Sequence, residues 1–339
     1  MVVNGIDPFV WRSQCGQAVS VGVVMPSLPV VLSLTFALAA GTASAQEPPT
    51  RQPPTRPSAQ LDDVVVEGRQ LENLVRNFVT EVSQPANNRG LARWNRPICV
   101  GAVNLRNDVG QYVVDRISDV ARELEVEAGE PGCRPNILIV AADDGAALAS
   151  AIVEDRPRNF DLRHNGTDAG TRAFRNFRTG GQPVRWWQIS MPINAETGDR
   201  AVRLPGDIDP ATGQPAAPTI HVFAASRLRT QIRDDMVRSV IIVDVERLAG
   251  ANLVQLADYL ALVALAQVDA EADTSAFPTI LNLFADPASA PAGLTDWDRS
   301  YLTALYEHDQ FRINRNSQVR AVAEAVIQDR REAAETASE

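Results

Sequence analysis

Three histidines, His164, His221 and His308, are all the imidazoles in this 339-residue chain. No two stand four residues apart, so no helix can offer a pair to one metal ion. Carboxylates are more plentiful: Asp143-Asp144, Asp258, and the run Asp269, Glu271, Asp273. Two carboxyl groups can divide acid and base roles when their surroundings split their pKa values. Asp143, Asp144 and Asp258 are therefore the residues that a carboxylate-dependent hydrolase would use. Asp143-Asp144-Gly145 also opens an apolar periodic stretch, which is the pattern of a helix cap. The run from Asp269 starts like a calcium loop, but Thr274 stands where glycine is needed and Ile280 where a bidentate acid is needed. All 32 basic residues are arginine. Without lysine there is no Walker-A lysine, no Schiff-base lysine and no Ser-Lys dyad. A G-x-S-x-G elbow and a dinucleotide-binding glycine fingerprint are also missing. The sequence assigns no catalytic residue, no cofactor and no metal.

Binding chemistry has more candidates. Between 156 and 185 lie seven arginines, at 156, 158, 163, 172, 175, 178 and 185, against Asp161 and Asp168. Inside a chain of net charge −10, this segment suits an anionic envelope ligand or an acidic protein. The opposing reading is a solvated helix whose arginines pair with nearby carboxylates. Arg172, Arg175 and Arg178 are the candidate contacts, together with Trp186 and Trp187. In a strand these tryptophans point to opposite faces, so one is expected in the core and the other on the surface. The acidic balance argues against nucleic acid as a partner, since binding there needs basic surface.

The elements that would position these residues alternate. Residues 62–69 read as a first strand, and Leu71, Leu74, Val75, Phe78, Val79 and Val82 recur at helical spacing. A strand over 98–105 precedes an amphipathic helix over 108–126. A buried strand over 136–142 precedes a helix over 146–154. Further strands are expected over 183–193, 219–225 and 237–245, with a polar loop over 194–218. A long apolar helix over 252–268 follows, then a buried turn at 279–284 and a helix over 295–306 with Thr295 as its N-cap. This pattern predicts an α+β domain over 61–313 in which a mixed sheet packs against helices. A C-terminal helix and frayed tail fill 314–339.

The last of these elements carry a resemblance. Thr279-Ile280-Leu281-Asn282 is similar to the tight turn beneath the metal of metzincin-type zinc proteases. The stretch from Gly293 to Tyr306 resembles their final helix. The same alignment puts Ala257-Asp258-Tyr259-Leu260-Ala261 where that family has H-E-x-x-H, and Gln267 near the third ligand. Ala257 and Ala261 have no ligand atom, and Asp258 alone retains the acidic centre. The resemblance implies a zincin-like fold with a degenerate active-site helix, no metal, and a surviving groove for extended peptides along an edge strand. The alternative is an α/β three-layer domain unrelated to zincins.

Residues 29–40 are apolar and lead to Ala43-Ser44-Ala45, the pattern of a signal peptide over 1–45, with Met25 an alternative start. The apolar run is too short for a bilayer span, so no transmembrane segment is expected after cleavage. Residues 46–60 are a proline-rich linker. A periplasmic or secreted setting is oxidising, and the two cysteines left after cleavage, Cys99 and Cys133, are expected to pair.

Overall fold

Leu71, Leu74, Val75, Phe78, Val79 and Val82 fall on one side of a helix, and they fold as α1 (Gly68–Val82). The computed structural model describes residues 68–86, 89–160, 170–201, 208, 213, 220, 229–248, 250–287, 289–312 and 315–338. All lie within the unit Asp62–Glu339. After α1 come β1 (Val100–Val103), α2 (Asn107–Glu123), β2 (Ile137–Ala142) and α3 (Gly145–Asp155). A 3-10 turn (Pro157–Phe160) and α4 (Gly170–Thr179) lead to β3 (Val184–Asn194) and β4 (Ile232–Asp244). The chain continues through α5 (Leu253–Leu265), a 3-10 turn (Ile280–Phe284), α6 (Asp296–Glu307) and α7 (Arg315–Ser338).

The described residues form an α+β fold around a four-stranded mixed sheet in the order β1-β2-β4-β3. β1, β2 and β4 run parallel, and β3 pairs antiparallel with β4 at the edge. Alternation along the strands divides the interior. Ile137, Ile139, Ile241 and Val243 join the larger core with residues of α1, α2, α5, α6 and α7. Ile242 and Trp187 face the other way, into a smaller core with Phe160 and residues of α3 and α4. Cys99 and Cys133 form a disulfide with Cα atoms 6.0 Å apart, tying the start of β1 to the chain that enters β2.

Several expectations change. β4 begins at Ile232, five residues before the apolar run. Its polar start is held by buried Asp234, which pairs with Arg89 at 2.6 Å, and by Asp235, which pairs with Arg233 at 2.8 Å. Charge pairing inside the protein hid this half of the strand. α5 stops at Leu265, where Ala266 turns extended (φ −128°, ψ 154°). Of the strand expected over 62–69, Gly68 and Arg69 belong to α1, and the rest lies outside the described residues. The strand expected over 219–225 likewise lies outside them, except for Ile220.

Candidate functional site

α5 is apolar apart from Gln255 and Asp258, and it is buried from Ala257 to Leu265, while Val254 in its first turn is exposed. A capping box between Asn252 and Gln255 starts it. Ala257 and Ala261 are fully buried on this helix. Asp258, also buried, accepts a hydrogen bond from Arg116 Nε on α2 and another from Leu294 N at 2.7 Å. A Cβ at position 293 would collide with the same carboxylate, which explains the glycine there. The bond that Arg116 donates to Asp258 is the main reason the Arg116 guanidinium titrates above its ordinary value. Asp258 thus joins three elements, and its oxygens are occupied by protein donors. Gln267, aligned near a third ligand, is occupied too: its Oε1 accepts from Ala92 N and its Nε2 donates to Ser190 Oγ, each at 3.3 Å.

The turn and final helix are locked by Asp298, which lies in the Gly293–Tyr306 stretch that resembles the family's final helix. Asp298 is fully buried and accepts from Thr279 Oγ1, Ile280 N (2.9 Å), Thr295 N (2.9 Å) and Thr295 Oγ1 (2.8 Å). Burial raises its pKa against the opposing pull of these four bonds. The signal was present as Thr295-x-x-Asp298, a capping-box spacing, of which only the threonine was read.

β3 runs beside the end of α5. Trp186 and Trp187 do point to opposite faces, but neither is exposed. Trp187 is 2% accessible among Phe160, Phe174 and Phe177. Trp186 is partly buried against the larger core, stacks edge-on to Tyr259, and donates from Nε1 to Val268 O at 3.0 Å. Both faces of this edge strand are covered by helices, which leaves no surface tryptophan. Gln188 donates to Val263 O and Ala266 O, pinning the strand to the C-terminal end of α5.

Among the described residues, what β3 leaves open is its backbone. Asp244 N donates to Pro183 O at 2.8 Å. Antiparallel alternation from that pair assigns the ladder bonds to Arg185, Trp187 and Ile189. The N–H and C=O groups of Val184, Trp186 and Gln188 therefore face outward. No strand pairs with them among the described residues. A register shift between Ile189 and Ser190 ends this regular stretch.

No family model, curated protein or solved structure matches the chain.

The arginine segment divides. Arg185 is buried on β3 and donates to Gly180 O (2.9 Å) and Phe177 O (3.2 Å), and burial lowers its pKa. Arg178 faces Glu154 at 3.7 Å and lies over the Phe174 ring. Arg172 pairs with Asp269, and with Glu271 at 3.3 Å. Arg175 is exposed. Pairing with carboxylates thus accounts for Arg172 and Arg178, while Arg163 lies outside the described residues. Asp144 caps α3 by accepting from Ala146 N (3.0 Å) and Ala147 N (2.9 Å), and Asp143 is exposed beside it. In the calcium-like run, Asp269 is taken by Arg172. Asp273 accepts from Ser275, which holds its pKa below the ordinary value. His164 and His221 lie outside the described residues. His308 is buried, with Nδ1 2.6 Å from Leu305 O, and burial lowers its pKa to about 4. Among the described residues no three metal-ligating side chains gather.

Proposed function

We propose that this protein is an exported, metal-free, zincin-like binding or scaffold protein of the cell envelope, and that it accepts an extended peptide along the outer edge of β3. The observation that carries this reading is the row of outward backbone groups at Val184, Trp186 and Gln188, which is a template for an added strand. The order of an antiparallel edge strand, a buried helix bearing Ala257 and Ala261, a 3-10 turn and a capped helix supports the zincin-like part. Alanine has no atom with which to hold a metal, so binding without catalysis suits this helix. The disulfide suits an oxidising compartment. No helix of the described residues is long and apolar enough to cross a membrane.

Backbone recognition has a direct test. The mature chain (46–339) is titrated with an acetylated, amidated decapeptide of alternating threonine and valine, and with the same peptide N-methylated at alternate residues in each of the two registers. The unmodified probe is expected to bind, with a loss of at least about tenfold in one N-methylated register. Equal affinity for all three would rule out strand addition.

A further inference from the structure

The outer edge of β3 is spanned by an ion pair. α4 lies on one face of the sheet, where Phe174 and Phe177 pack on Trp187. Val268 and the chain after it lie on the opposite face, where Val268 O receives the Trp186 indole and Asp269 N donates to Val82 O at 2.8 Å. Arg172, near the start of α4, nonetheless pairs with Asp269 and Glu271. A side chain cannot pass through the sheet, and β4 fills the inner side of β3. The direct route for Arg172 is around the outer edge of β3, which no strand of the described residues covers.

We infer that Arg172 and the pair Asp269/Glu271 form a clasp that restrains β3 and closes its edge to an added strand until the clasp opens. As a gate on peptide entry, this rests on the binding reading above; as a restraint on β3, it stands on the contacts alone. The partners suit a gate and not a permanent lock. The Arg172 side chain is 54% accessible and that of Glu271 37%, while Asp269 is held at 12%. Pairs this exposed are weak and are screened by salt. Asp269 is kept in place when the arginine leaves, because its Oδ1 also accepts from Glu271 N at 3.0 Å. No other positive side chain pairs with Asp269 or Glu271 among the described residues.

Two readouts on the full mature chain separate the clasp from the peptide. Amide hydrogen exchange at Arg185, Trp187 and Ile189 reports fraying of β3 from β4. Affinity for the unmodified threonine–valine decapeptide reports entry. In Arg172→Ala, exchange at these amides is expected to rise about 3- to 5-fold and affinity to tighten by a similar factor. Asp269→Asn should do the same, and the double variant no more than either alone. About 1 M salt should speed exchange in the parent chain but not in Arg172→Ala. Unchanged exchange in Arg172→Ala would overturn the clasp, whatever the peptide does. Faster exchange with no peptide bound by any variant would leave the clasp standing as a restraint and overturn the strand-addition reading instead. Faster exchange with unchanged peptide affinity would overturn the gate.

Discussion

Glu125 shows how local chemistry is overridden at single residues. It follows the C-cap of α2 with φ +60°, in the position that glycine usually takes. The bonds Val126 N to Ala121 O (2.9 Å) and Glu125 N to Arg122 O (3.0 Å) define the motif. Its charge also stands at the negative end of the helix. Glu125→Gly is expected to raise stability by about 0.5–1 kcal/mol in urea denaturation, because it relieves the left-handed strain. A loss of stability would show that the glutamate makes a contact worth more than the strain. His308 is the other residue with a signed consequence. Unfolded, its imidazole protonates near pH 6.5; folded, it does so only at about 4. Between those values the unfolded chain binds the additional proton, so acidification favours unfolding. Stability should fall by roughly 3 kcal/mol from pH 7 to pH 4 on account of this group. His308→Gln should flatten that part of the profile, and an unaltered slope would remove His308 as its cause. None of this was legible in the sequence, where His308 reads only as a histidine at a helix end.

Among the elements, legibility followed periodicity. α2 carries an unbroken apolar stripe and β2 a short apolar run, and both stand within a few residues of where the pattern put them. Capping signals were equally readable at Asp144 and Thr295, whereas Asn252, the N-cap of α5, reads in the sequence only as the first residue of its helix. The pattern failed where long-range pairing replaced hydrophobicity. The start of β4 depends on Arg89 and Arg233, and the fate of Arg172 depends on Asp269, 97 residues away. It failed again at Trp186-Trp187, because alternation tells which faces two side chains take but not whether a second layer covers each face. α4 supplies that layer, and its arginines drew attention to charge while Phe174 and Phe177 did the packing. Trp187 is accordingly a core residue of β3. Trp187→Ala should cost about 3–5 kcal/mol in stability. A variant of unchanged stability with selectively weakened peptide binding would return Trp187 to the surface role that the sequence suggested.

At the scale of the molecule, the candidate site lies at one edge of the sheet and not in its middle. Asp258, one of the carboxylates that a hydrolase would use, and Asp298 are both buried and occupied by donors from neighbouring segments. Asp258 fastens α5 to α2 and to the chain entering α6, Asp298 fastens the 3-10 turn to the start of α6, and Gln188 holds the C-terminal end of α5 against β3. A sequence shows a helix lacking metal ligands, but only the sheet order shows that the strand beside that helix is an edge. The most direct measurement is therefore a residue-resolved NMR titration of residues 46–339 with the unmodified threonine–valine decapeptide. Strand addition at β3 would place cross-strand contacts on the amide protons of Val184, Trp186 and Gln188 and slow their exchange. Contacts on any other surface, with these three amides unchanged at saturation, would contradict the account.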